Sequence, residues 1–235
     1  MNIVCLKWGD RFSHEHVNRL YRMVCKNFKH DFNFICHTEN ADNIDDNIII
    51  QPLPDYGLEK WWWKLTLFEH PANVPNIFFD LDVVIQNDIT HFKDYFIKDK
   101  LCLVKSYWKP YQLKQFDTNI NSSIMLWYGD NTGLWKEFDS NIDYYMLKYN
   151  GIDGYLDHHQ SEKLFYLPEG DVYSRLYGID KNNYWRAGDD LDPKYFYEPN
   201  YNVCIFNGWQ RKIIKQTGRY ALDDEGYDGF KHYWD

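Results

Sequence analysis

The first third of the chain switches between two hydrophobic periods. Ile3, Val4, Cys5 and Leu6 form a short continuous apolar run within residues 2–7, the pattern of a strand buried on both faces. Residues 8–12 hold Gly9 and read as a loop, and Ser13 is placed to cap a helix with Glu15 in its first turn. Val17, Leu20, Tyr21, Val24, Cys25 and Phe28 then recur on one face at helical spacing. Residues 32–37 return as a strand, and residues 48–50 predict a shorter one ended by Pro52 and Pro54. Strand, helix, strand is the opening of a parallel α/β sheet.

Beyond the turn at Asp55, Tyr56 and Gly57, residues 60–69 predict a helix carrying Trp61, Trp62, Trp63 and Lys64, closed by Pro71 and Pro75. Ile77, Phe78 and Phe79 make an apolar strand that runs into Asp80, Leu81 and Asp82 and resumes as Val83, Val84 and Ile85. Further on, residues 101–104 and 123–127 read as strands, 134–147 and 158–165 as helices, and 203–206 as a last buried strand. This organisation predicts one domain over residues 1–219. Residues 220–235 form an acidic, aromatic tail without periodicity, expected to be flexible or loosely docked.

Composition narrows the function classes. At 235 residues with 44% apolar content, the chain can bury one sizeable core. A formal charge of −9 argues against a nucleic-acid partner, because such binding draws on clustered Lys and Arg that release counterions. The aromatic share of 19% suits sugar or base faces as well as a richly aromatic core. No apolar run approaches the roughly 20 residues that span a bilayer, and no secretory signal follows Met1. Cys5, Cys25, Cys36, Cys102 and Cys204 are odd in number and scattered, so they read as reduced core thiols. The expected location is the cytoplasm, that of the host if the chain is viral.

Charges inside the run from Ile77 to Ile85 need a reason, since an unpaired buried carboxylate is very costly. Asp80 and Asp82, one residue apart at the carboxyl end of a strand, sit where open α/β sheets bind ligands and could share a hard divalent cation. Alone, the pattern also describes a strand end with one exposed and one capping Asp. Phe78 to Asp82 also resembles the first motif of haloacid-dehalogenase-type phosphatases, whose first Asp is a nucleophile. Against that reading, a strand-helix-strand unit precedes the motif, and the acidic stretch from Gly188 to Asp192 lacks the second acid at the needed spacing.

An ordered series of segments carries a more extensive likeness. Trp8 to Phe12 with Val17 to Tyr21 and Met23, then Leu53 and Pro54, Trp62 to Leu65 and Phe68, Phe79 to Asp82, and Asn121 to Trp127 resemble family 8-like glycosyltransferases of bacteria and their phages. The likeness spans about residues 1 to 210. It implies a GT-A fold, Rossmann-like, with a mixed and mostly parallel sheet flanked by helices. It also implies retaining transfer of a hexose from a nucleotide-sugar, most often a UDP-sugar, assisted by Mn²⁺ or Mg²⁺, onto a glycan, lipid or protein acceptor. By the same carry-over Asp80 and Asp82 hold the metal, and Asp80 also touches ribose. Lys64 reaches the donor, Asn121 bonds the transferred sugar, and Trp8, Gly9, Asp10 and Ser122 line the donor site.

Two segments depart from the pattern. The family's Asp-Gln pair near the anomeric carbon reads Asp157, His158, His159, Gln160 here, so Gln160 is kept, His159 stands in place of the acid, and Asp157 is a candidate replacement. The family's His-Gly after the last strand becomes Asn207 and Gly208, followed by Arg211 and Lys212. Asn207 can offer an amide oxygen to a hard cation, Gly208 permits close approach to a phosphate, and Arg211 or Lys212 can cover a diphosphate. These changes leave open a sugar-binding protein that keeps the fold and has lost turnover.

Overall fold

The apolar run at the start of the chain forms β1 (Asn2–Lys7), and Ser13 caps α1 (His14–Asn27) through a capping box with His16. The chain returns as β2 (Asn33–Thr38) and β3 (Ile49–Pro52), each paired in parallel with its predecessor. The computed structural model describes residues 1–108, 118–175, 177–180, 196–206 and 230–234. In α1 the buried stripe is His16, Val17, Leu20, Met23 and Val24, whereas Cys25, expected in the core, is exposed. The other four cysteines are buried and unpaired.

Residues 60–68 coil as a 3₁₀ helix rather than the expected α-helix, burying Trp62, Trp63, Lys64 and Leu65. After it, β4 (Ala72–Phe79) starts earlier than the sequence suggests: Pro75 lies inside it, where a register irregularity between Ala72 and Asn76 absorbs the missing donor. The remaining strands are β5 (Val83–Ile85), β6 (Lys100–Lys105), β7 (Ile120–Gly129), β8 (Leu164–Tyr166), β9 (Val172–Ser174) and β10 (Val203–Ile205). The stretch expected as one helix over 134–147 is broken into α2 (Thr132–Asp139) and α3 (Ile142–Lys148), with Asn141 capping the second through Tyr144. The helix expected at 158–165 is displaced. Gly151, at φ 107°, opens α4 (Ile152–His159), so the two histidines end a helix and β8 follows within five residues.

Among the described residues the main sheet has seven strands in the order β3-β2-β1-β4-β7-β6-β8, all parallel except β7. A second sheet runs β5-β10-β9. Alternation divides the core. Ile3, Cys5, Ile77, Phe79, Cys102 and Ile124 pack on one face with α1 and the small sheet. Val4, Phe78, Leu101, Leu103 and Met125 pack on the other with the 3₁₀ segment, α2 and α4. Of the tail expected over residues 220–235, residues 230–234 rest on the body of the fold, and 220–229 and 235 lie outside the described residues. Phe230 is buried against Phe206 and Tyr197, and α5 (Lys231–Trp234) follows it against α1, where Lys26 Nζ donates to the His232 carbonyl at 3.1 Å. Among the described residues no helix is long and apolar enough to cross a membrane.

His37, near the end of β2, is enclosed enough that burial lowers its pKa to about 4. The unfolded chain therefore takes up this proton first. The His37 contribution to stability should be flat above about pH 6.5, fall by up to about 3 kcal/mol as the pH drops toward 4, and level off below that, while the raised carboxyl of Asp82 acts in the opposite direction over the same range. The difference between wild type and His37→Asn in urea unfolding from pH 8 to 4 isolates it.

Candidate functional site

Strand order reverses direction between β1 and β4: β2 and β3 are added on one side of β1, and β4 and the later strands on the other. In open α/β sheets such a switch point leaves a crevice at the carboxyl ends of the strands. Here the two adjacent ends carry the loop from Trp8 to Ser13 and the segment from Asp80 to Asp82. Gly9 takes a left-handed conformation at φ 64°, and its amide donates to Glu39 Oε1 at 2.6 Å, tying this loop to the end of β2.

Lys64 is the centre of the site. The 3₁₀ segment buries this lysine, and its Nζ donates to Asp80 Oδ2 at 2.7 Å, to the Ser122 carbonyl at 3.1 Å and to Ser122 Oγ at 3.3 Å. It also lies 5.3 Å from the centre of the Phe78 ring. The amide of Asp80 continues the β4–β7 ladder by donating to the Ser123 carbonyl at 2.8 Å. Asp82, half-buried, has its carboxyl pushed up to about 6 by burial first and by the charge of Asp80 second, with Arg11 and Lys64 opposing. The carbonyl of Asp82 accepts the Phe206 amide at 3.1 Å, so β10 delivers the chain to the acidic pair.

Ser122 can reach Lys64 because β7 bulges. Its register with β6 slips between Leu103, opposite Met125, and Val104, opposite Asn121. Asn121 Oδ1 accepts the Ser123 amide at 2.9 Å and holds the bulge. The amide of Ser122 is taken by Asp153 Oδ1 at 3.0 Å, and one helical turn later Asp157 Oδ2 takes the amide of Asn119 at 3.0 Å. Two carboxylates on one side of α4 thus clamp the entry of β7. Asp153 has no counterpart in the sequence reading; its only signal was the four-residue spacing to Asp157, which also describes a solvated helix face.

The other predicted residues fall in two places. His159 and Gln160 share Glu137 of α2: His159 Nε2 lies 2.5 Å from Oε1, and Gln160 Nε2 donates to Oε2 at 2.6 Å. These contacts lower the Glu137 pKa, with the His159 bond first. His159 also stacks on Tyr155 at 5.5 Å. No direct hydrogen bond among the described residues joins this group to Lys64 or Asp80; the link is α4, which ends at His159 and holds the Ser122 amide through Asp153. Trp8 and Gly9 are half-buried and Asp10 is exposed beside Arg11, whose charge reaches Asp82. Asn207, Gly208, Arg211 and Lys212 lie outside the described residues.

The two carboxylates are hard oxygen donors that repel each other, a set that suits Mg²⁺ or Mn²⁺ completed by substrate phosphates. Among the described residues no group of three or more His, Cys, Asp or Glu could hold a metal by itself.

The chain superposes on the galactosyltransferase LgtC, solved with donor and acceptor sugar analogs, with a TM-score of 0.59 over 97% of this chain and 99% of that one, at 14% identity. The fold is that of the GT-A glycosyltransferases. The glycosyltransferase GlyE of Streptococcus pneumoniae TIGR4 matches with a TM-score of 0.63 at 10% identity, covering 89% of this chain and 55% of that chain. Mouse xyloside xylosyltransferase 1 matches at 0.50 and 10% identity, over 88% and 98% of the two chains. No protein-family model matches the sequence, and no curated protein sequence matches it.

Removing the Asp153 carboxylate leaves the Ser122 amide without its acceptor. Asp153→Ala should lower stability by about 1–3 kcal/mol and speed hydrogen exchange at Ser122, whereas Asp153→Asn, which keeps an oxygen acceptor, should recover most of both. Urea unfolding with amide exchange followed by NMR measures the two effects.

Proposed function

We propose that this chain is a retaining glycosyltransferase that moves a hexose from a nucleotide diphosphate sugar, a UDP-sugar by resemblance, with help from a divalent cation. The observation that carries this reading is the Lys64–Asp80–Ser122 cluster with Asp82 beside it, at the switch point of a GT-A sheet. LgtC and GlyE, named as glycosyltransferases, share this architecture and support the assignment.

Asp80 and Asp82 would hold Mn²⁺ or Mg²⁺, which when bound supplies positive charge for a departing diphosphate. Lys64 orients Asp80 through their 2.7 Å ion pair, and its own charge adds to the positive potential at the end of β4. Trp8, Gly9 and Asp10 border the crevice from the β1 side, and Asn121 and Ser122 from the β7 side. Asn207, Gly208, Arg211 and Lys212 keep the metal and diphosphate roles that the resemblance implies.

Gln160 is assigned to the reacting face of the sugar. One solved form of LgtC is an active-site glutamine-to-glutamate mutant, and we assign Gln160 the corresponding place. Glu137 holds the amide nitrogen of Gln160, which fixes the amide oxygen as the end available to a centre that gains positive charge. His159 is bonded to the same carboxylate and stands second in that group. Asp157 is engaged with the Asn119 amide, so its role is to seat α4 against β7.

UDP release from UDP-glucose and UDP-galactose, measured with and without Mn²⁺, tests the reading. Wild type should release UDP in a metal-dependent way, and Asp82→Asn should reduce the rate on the order of 100-fold. Equal background release from both proteins would defeat the enzyme and leave the sugar-binding alternative.

A further inference from the structure

The carboxyl edge of the main sheet does not end at the acidic pair. On the far side of β7, β6 finishes at Lys105, which is paired with Ile120 one residue before Asn121. Lys105 follows Leu101 and Leu103 on the face that also carries Phe78 and Lys64. Two strand spacings, about 10 Å, separate this point from β4. Next to β6, β8 ends on the same edge at Tyr166, opposite Leu103.

At this edge the ammonium of Lys105 is set between two aromatic rings, 5.8 Å from the centre of Tyr107 and 5.7 Å from that of Tyr166. Tyr166 is 38% exposed and Tyr107 half-buried, so ring surface remains accessible. Among the described residues no carboxylate lies within ion-pair distance of Lys105, in a chain whose formal charge is −9. Glu169 is close enough to Tyr107 to act on its hydroxyl, and it is exposed, where solvent screens its charge.

Flat rings that present one face, with a cation between them, fit a sugar ring that bears a negative group: the apolar face of the pyranose covers tyrosine, and the anion meets the ammonium. We infer that Tyr107, Tyr166 and Lys105 form the acceptor subsite, and that it takes a pyranoside carrying a carboxylate. This rests on the glycosyltransferase reading for its role as acceptor, while the binding itself does not depend on turnover.

Binding of four probes to the full chain decides it: methyl β-D-glucuronide and methyl β-D-galacturonide, and the matching neutral glucoside and galactoside, titrated by saturation-transfer NMR. At least one acidic glycoside should bind more tightly than its neutral partner, by about two- to fivefold. Lys105→Met should erase that difference. Tyr107→Ala and Tyr166→Ala should weaken binding of both by about three- to tenfold, and Tyr166→Phe should restore it. UDP binding, followed in parallel by calorimetry, should be the same in all four variants. No saturable binding of any probe, or binding unchanged by both alanine variants, would overturn the subsite; equal affinity for acidic and neutral partners would overturn the anion. Loss of UDP binding in wild type with glycoside binding intact would defeat the glycosyltransferase reading and leave the tyrosine site standing.

Discussion

A buried lysine has to be answered. Taking an ammonium out of water costs several kcal/mol unless a carboxylate and further acceptors meet it. Lys64 is met by Asp80 and by two oxygens of Ser122, and the architecture around it follows from that need. The 3₁₀ segment lowers Lys64 onto Phe78, β4 ends where Asp80 can turn toward it, and β7 bulges so that Ser122 offers both carbonyl and hydroxyl. Asp153 then takes the amide that the bulge sets loose. Each step removes a polar group that would otherwise be stranded in the interior.

The same economy explains why Asp82 differs from its neighbour. Asp80 has Lys64 at contact distance, whereas Asp82 meets enclosure and the negative charge of Asp80, and its carboxyl gives up its proton reluctantly. The asymmetry makes the pair receptive to added positive charge. A cation there would offset the enclosure and the Asp80 charge that hold the Asp82 carboxyl up.

Much of this was legible in the chain. The opening unit announced itself because β1 is a continuous apolar run and α1 keeps its stripe at helical spacing; only Cys25, at the rim of that stripe, fell outside the core. The acidic pair stood out because charges interrupted an apolar run, and the order of segments from Trp8 onward pointed to the GT-A fold. The second half was harder to read. The break between α2 and α3 rests on the Asn141 cap, and the start of α4 on one glycine at positive φ, both local features that apolar periodicity passes over. Pro75 inside β4 is tolerated because the ladder is already irregular there. The bulge of β7 and the Asp153 clamp are tertiary events, and a carboxylate that bonds a backbone amide 31 residues earlier leaves no local mark.

Among the described residues, β7 alone runs against the other strands of the main sheet. The crevice is walled by the finish of β4 at Phe79 and the beginning of β7 at Ile120, direct neighbours in the sheet that are far apart in the chain. Such distant pairing belongs to the slow, late part of folding. Any molecule that grips both walls therefore recognises a completed sheet, and its affinity is drawn from the order of the whole chain. Occupancy and cooperative unfolding are joined through this seam: a loosened β7 would open the crevice, and a filled crevice would hold β7 in register.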